Sequence, residues 1–439
     1  MRLLFAVLKL VAALALVPLA LDWRSPFLFV VRDWALVGLV SVSLCLILAE
    51  ILALRGRRPV PRVVRIVNIL GLVAAGLALT ATVVIEARFH WMRYQVLHAD
   101  PTALERLGRH LIVGCRAIED VRDLARIQAI GGVFLSGRNA RGKTVEELRQ
   151  EIRSLQYERQ DRGLPPLWIT TDQEGGVVSR LSPPLTQMPA LSEIVARAAD
   201  TAPLEGPVRE FAARQGTELA RVGVNLNLAP VVDVNHQIIN PHDRFTRVYL
   251  RAISSDPSVV TQVAGWYCHA LEKAGVQCTL KHFPGLGRVK DDTHLRPADL
   301  SAPLEELART DWVPFRALMR RSRAFLMLGH VRLTALDTER PASLSPPVIS
   351  GLLRGQWKYD GVIITDDFSM RAVYRSSSGI AGGVDSLNAG VDLILVSWDC
   401  DLYYDVMYSL LKADRQGRLD REALRQSAER IARAIRSIR

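Results

Sequence analysis

The chain has 439 residues, 49% of them apolar, and 56 Lys+Arg against 45 Asp+Glu. Its charge of +11 is uneven. The first 100 residues hold 11 basic and 5 acidic side chains and the other 339 hold 45 and 40, which excludes the basic footprint of a nucleic-acid-binding domain. Cys45, Cys115, Cys268, Cys278 and Cys400 show no Cys-x-x-Cys or zinc spacing, so no metal centre is expected. Cys115, Cys268, Cys278 and Cys400 read best as free core thiols, with a Cys268–Cys278 pair across a helix-to-strand turn as the alternative.

Residues 1–100 read as a membrane anchor with two or three transmembrane helices and a linker. Leu3–Leu21 is broken only by Lys9 and Trp34–Leu54 only by Glu50, while Ile66–Ile85 carries no charge. Each approaches the ~20 residues that a helix needs to cross the hydrocarbon core. The loop between the second and third segments carries Arg55, Arg57, Arg58, Arg62 and Arg65. Arginine-rich short loops stay in the cytoplasm. Three crossings then place the N-terminus inside and everything after Glu86 outside, at the periplasmic or extracytoplasmic face of the inner membrane. An interfacial first segment would instead leave the large domain inside. The linker Ala87–Asp100 mixes Phe89, Trp91 and Tyr94 with Arg88 and Arg93, which suits contact with lipid at the interface.

From residue 101 to 439, eight short apolar runs alternate with helical patterns. The candidate strands are 110–113, 132–135, 167–170, 224–228, 276–280, 324–328, 361–364 and 391–395. The amphipathic stretches between them include Thr144–Glu158, Pro207–Arg221, Pro257–Ala274, Leu304–Arg321 and Ser377–Ala389. Continuous apolar strands separated by helices indicate a parallel sheet covered on both faces. Eight such units predict an α/β fold, a (β/α)8 TIM-like barrel preceded by the N-terminal transmembrane helices. The open doubly wound sheet is the rival, but no Gly-x-Gly-x-x-Gly turn follows the first strand. Residues 421–439 read as a final, structural basic helix.

In a barrel the chemistry sits where strands end. The third strand runs into Thr171-Asp172-Gln173-Glu174-Gly175-Gly176-Val177-Val178-Ser179-Arg180. The fourth leads to Ala229-Pro230-Val231-Val232-Asp233-Val234 and a long loop through Asn240, Arg244, Arg247 and Arg251. The fifth ends in Lys281-His282-Phe283-Pro284-Gly285-Leu286-Gly287 and continues to Asp292-Thr293-His294. The seventh ends in Thr365-Asp366-Asp367-Phe368-Ser369-Met370. A carboxylate two residues before a histidine can hold one ring nitrogen and leave the other for proton transfer. Taken singly, each of these is an ordinary turn or helix cap.

Together they resemble the β-N-acetylhexosaminidases of glycoside hydrolase family 3, from about Glu105 to the C-terminus. The resemblance rests on Lys281–Gly287, Asp292–His294, Asp172–Arg180 and Thr365–Met370. It implies Asp366 as nucleophile, with His294 and Asp292 as the acid/base pair and Asp367 as a supporting or capping residue. It implies Asp172, Arg180, Arg251, Lys281 and His282 as sugar-binding residues, with Arg244 and Arg247 competing for the place of Arg251. His330, after the sixth strand, has either a site or a structural role. Val177 replaces the usual Arg and Leu286 the usual second His. The resemblance further implies hydrolysis of terminal N-acetylglucosamine from peptidoglycan-derived saccharides, with no metal or organic cofactor. Phosphorolysis, or muropeptide binding with weak catalysis, are the alternatives.

Overall fold

The computed structural model describes residues 1–56, 60–198, 203–374 and 381–437. It divides into two compact units, Met1–His98 and Ala99–Arg439.

The first unit is three apolar helices, α1 (Arg2–Asp22), α2 (Arg32–Arg55) and α3 (Arg62–Leu97). By length and composition all three can cross a membrane. Ala13, Ala74 and Ala75 are buried where α1 meets α3, because small residues let apolar helices approach closely. Two ion pairs staple the helices, Lys9–Glu50 at 2.7 Å and Arg24–Glu86 at 2.6 Å. One expectation is corrected here. Ala87–Leu97 is no separate linker but the last three turns of α3, whose Phe89, Met92 and Val96 keep helical spacing and are buried. Of the arginine loop, Arg57 and Arg58 lie outside the described residues.

The second unit is a TIM-barrel-like α/β fold. Its strands are β1 (Leu111–Gly114), β2 (Gly132–Leu135), β3 (Trp168–Thr171), β4 (Leu226–Asn227), β5 (Thr279–Phe283), β6 (Phe325–Leu328), β7 (Ile363–Asp367) and β8 (Leu393–Val396). They form one parallel sheet in the order β4-β3-β2-β1-β8-β7-β6-β5. The two ends of that order meet through isolated bridges, Leu226 to Gln277 and Val231 to Lys281, so the ring is nearly closed. Asn227 N donates to Gln277 O at 2.8 Å across that seam. The expected strand 224–228 shortens to two residues there, because its neighbours make bridging rather than ladder bonds. The fifth strand is shifted toward its C-terminal end, so that Lys281 and His282 lie within it.

Ile112, Phe134, Trp168, Leu226, Phe325, Ile364 and Leu393 fill the interior. The last helix, α4 (Arg421–Arg436), plugs the N-terminal end of the barrel with Ile431 and Ile435. Each buried isoleucine contributes about 1.5–3 kcal/mol. Arg430 Nε on the same helix donates to the buried Asp392 at 2.9 Å. The expected helix Leu304–Arg321 is two, Leu304–Arg309 and Trp312–Arg321, broken beside Asp311, whose carboxylate takes Arg288 and His236. Of the stretch Ser377–Ala389, Gly382–Ala389 is helical and 377–380 lie outside the described residues.

The thiol expectation is corrected in part. Cys268 and Cys278 form a disulfide, with their Cα atoms 5.5 Å apart. The helix Pro257–Lys273 runs back along the barrel, so that its last turns face the entry to β5. Cys115 and Cys400 are free.

Candidate active site

The expected site residues lie at the C-terminal ends of β3, β4, β5 and β7 or in the loops that follow. Asp172 leaves β3, and the chain then turns sharply. Gly175 has φ +92°, and a Cβ there would stand 2.2 Å from Pro189 O, so only glycine fits. This turn brings Glu174 back inward. Lys281 Nζ on β5 meets Asp172 Oδ1 at 2.7 Å and Glu174 Oε1 at 2.6 Å. Arg251 grips Glu174 in a two-point bond, Nε to Oε2 at 2.9 Å and Nη2 to Oε1 at 2.6 Å. Burial alone would raise the Glu174 carboxyl. Arg251 and Lys281 outweigh it and hold the group well below the usual carboxylate range.

His282 completes this cluster. Its Nδ1 lies 2.8 Å from Asp233 Oδ2, and its Nε2 lies 3.5 Å from Arg251 Nη2. Asp233 is fully buried and also accepts from His282 N and Leu286 N. Leu286, the departure from the usual His, is buried and contributes its backbone N–H here. Arg251, rather than Arg244 or Arg247, is the arginine that reaches this cluster. Arg244 is exposed, and Arg247 sits at the start of the short helix Val248–Arg251.

The loop after β5 is pinned by close approach, since a Cβ on Gly287 would stand 1.9 Å from Val234 O. It carries the second His–Asp pair. His294 Nδ1 and His294 N both lie 2.9 Å from Asp292 Oδ1. Thr246 Oγ1 donates to the same oxygen at 2.9 Å, and Phe245 N donates to Oδ2 at 3.1 Å. Burial would raise the Asp292 carboxyl, but His294 and Thr246 outweigh it and hold it low. The His294 side chain is 39% exposed, whereas Asp292 is 5% exposed.

This loop is tied to the segment that follows Asp366. Arg371 N donates to His294 O, and Ala372 N donates to Thr293 O, each at 3.2 Å. At β7, Asp366 is half-buried, and its Oδ1 accepts from Asp367 N at 2.8 Å. Burial raises the Asp366 carboxyl. The imidazoles of His282, His330 and His294 together outweigh that and lower it. Asp367 turns away and accepts from Ser369 N, Ser397 N and Trp398 N, which splices β7 to the exit of β8. His330 is sealed, with Nδ1 2.7 Å from Ser343 Oγ and Nε2 3.1 Å from Asp367 O.

Arg180 is the exception to the convergence. Its backbone N donates to Asp172 O at 3.1 Å, but its side chain is exposed on the rim beside the exposed Val177. Three residues that the motif reading passed over are central here, namely Glu174, Asp233 and Thr246. Asp233 had a signal, an acid inside an apolar run that must find buried partners. Among the described residues no group of three or more His, Cys, Asp or Glu is placed to hold a metal.

The arrangement supplies a carboxylate held in its charged form, a half-exposed imidazole oriented by a second carboxylate, and a cluster of paired charges whose donors and acceptors can bind hydroxyls. Residues 102–434 match the family description "Glycosyl hydrolase family 3 N terminal domain". A β-hexosaminidase of Xanthomonas euvesicatoria is 35% identical over 288 residues, which covers 65% of this chain and 81% of that protein. The β-hexosaminidase LpqI of Mycobacterium tuberculosis is 32% identical over 335 residues, covering 75% of this chain and 81% of LpqI. A family 3 β-N-acetylglucosaminidase from Paenibacillus superposes with a TM-score of 0.70 at 31% identity. That match covers 76% of this chain and 62% of the longer Paenibacillus chain.

Proposed function

The chain belongs to glycosyl hydrolase family 3 and is a glycoside hydrolase by that membership, and on this premise we propose that it is a retaining exo-β-N-acetylglucosaminidase. The observation that carries the proposal is the tether between the His294 loop and the segment after Asp366, with backbone bonds of 3.2 Å. Asp172, Arg251, Lys281 and His282 hold the non-reducing sugar, and Arg180 approaches it from the rim. Asp366 attacks its C1, and the bond from C1 to the glycosidic oxygen breaks. His294 gives its Nε2 proton to that oxygen, leaving a glycosyl ester on Asp366. The same imidazole then takes a proton from water, which attacks C1 and frees the carboxylate.

Most retaining glycosidases use two carboxylates for this work. With its proton in place, the His294–Asp292 pair is net neutral and adds no negative charge beside the departing oxygen. Replacing His294 with Ala is expected to lower turnover of an aryl N-acetylglucosaminide by roughly 10²–10⁴-fold. Full activity in that variant would refute the assignment.

The substrate proposed is a terminal N-acetylglucosamine on a peptidoglycan-derived saccharide. The three N-terminal helices are proposed to cross the inner membrane and set the barrel outside. The arginines that precede α3 support that orientation. So does the Cys268–Cys278 disulfide, a bond that persists in oxidising compartments. Protease protection of the barrel in sealed, right-side-out vesicles or spheroplasts would contradict it.

A further inference from the structure

The segment Asn240–Arg251 approaches the His294 loop from the other side of the cleft. Asn240 Nδ2 donates to Lys290 O at 2.8 Å. At its far end Arg251 Nη1 donates to Thr246 O at 2.8 Å. Between these anchors, Asp243 fixes the turn by accepting from Thr246 N at 3.0 Å and from Arg247 N at 2.7 Å. The result is a rigid support with one buried hydroxyl, that of Thr246, aimed at Asp292. The same oxygen stands 3.4 Å from His294 Nδ1. The neighbouring Phe245 presents its ring to the His294 ring, with centroids 5.6 Å apart.

Asp292 can hold the imidazole only if its own carboxylate cannot swing. Two of its bonds come from His294 itself and move with it. Independently of His294, Thr246 Oγ1 and Phe245 N donate to Asp292, and the Asp243 carboxyl of the same segment lies against it. A side-chain hydroxyl can be removed by substitution, whereas a backbone N–H cannot.

We propose that Thr246 is a positioning residue for proton transfer, fixing Asp292 so that His294 meets the leaving oxygen. This rests on the glycosidase reading and deepens it. The role differs from a merely structural one in its consequence. A misplaced acid harms departure of a poor leaving group and spares a good one. An error of about 1 Å in such a group can cost on the order of 10²-fold.

The test compares kcat/KM on two N-acetylglucosaminides, the 2,4-dinitrophenyl glycoside, which needs no protonation to leave, and the methyl glycoside, which does. In Thr246→Val, kcat/KM on the methyl glycoside is expected to fall on the order of 10-fold or more, while the dinitrophenyl value stays within about twofold. Thr246→Ser, which restores the hydroxyl, is expected to recover most of the loss. Equal losses on both substrates, no loss on either, or failure of serine to rescue would overturn the proposal. A crystal structure of Thr246→Val supplies an arm independent of turnover. The expected result is a His294 ring displaced from Asp292, and an unmoved ring overturns the role. A wild-type enzyme inert on both glycosides would defeat the glycosidase reading instead, and the crystallographic arm would still decide this one.

Discussion

Two His–Asp pairs take their histidines from β5 and the loop after it and have nearly the same bond length, yet the proposed function gives them opposite work. His282–Asp233 is 2.8 Å long with side chains 6% and 0% exposed, and His294–Asp292 is 2.9 Å long with side chains 39% and 5% exposed. The first sits at the end of β5, enclosed by Arg251, Lys281 and Glu174. The second rides on a loop, with its imidazole open to water. Bond geometry alone does not separate a binding imidazole from a proton-transferring one. Access of the free nitrogen to a reacting atom does.

The largest expected effect on stability comes from breaking the enclosed cluster. Glu174→Gln leaves Arg251 and Lys281 buried without their shared carboxylate, and loss of one partner in a buried ion pair costs about 3–5 kcal/mol. Chemical denaturation should report that loss. A change below about 1 kcal/mol would mean that the cluster is less sealed than its geometry indicates.

A third imidazole sharpens what enclosure does. His110, at the barrel's plugged end, is wholly buried, with the carbonyl of Asp392 and the hydroxyl of Ser427 at its Nδ1. Burial, which outweighs the Asp392 contribution, lowers it from 6.5 to about 4. Between those values the unfolded chain takes up a proton that the folded chain refuses, so stability falls as pH falls from 6.5 to 4. The loss is about 3 kcal/mol at 1.36 kcal/mol per pH unit. His110→Gln should flatten that part of the stability–pH curve. An unchanged slope would assign it to other groups.

The smallest expected effect on stability belongs to the open pair. Asp292→Asn should change the unfolding free energy by less than about 1.5 kcal/mol, since the amide oxygen still accepts from Thr246 Oγ1 and the His294 side chain is open to water. Turnover should nonetheless drop roughly 10²-fold as the imidazole loses its charged partner. Parallel losses of fold and turnover would erase the contrast between the two pairs.

The contrast also marks what the sequence disclosed. The barrel was legible because eight apolar runs recur between helical stretches; Asp366 and Lys281 stand out because each lies at a strand's end, and His294 because Asp292 stands two residues before it. Glu174 was not, although it lies inside a motif. Its partners Arg251 and Lys281 are 77 and 107 positions away, and only closure of the ring brings them together. Thr246 sits in a loop with no periodicity, where nothing local indicates a target 46 residues on. The Cys268–Cys278 bond depended on how one helix turns back to meet β5. The tail of α3 was obscured because interface-type aromatic and basic residues interrupt its apolar pattern without breaking its helical spacing.

The assignment of Asp366 as nucleophile, with His294 as its proton-transfer partner, is tested most directly by trapping the intermediate. The enzyme would be incubated with 5-fluoro-N-acetylglucosaminyl fluoride, digested, and sequenced by mass spectrometry. The expected result is one glycosyl ester on the peptide holding Thr365-Asp366-Asp367, located at Asp366. An ester on another carboxylate, or turnover that inverts the anomeric centre and leaves no ester, would contradict it.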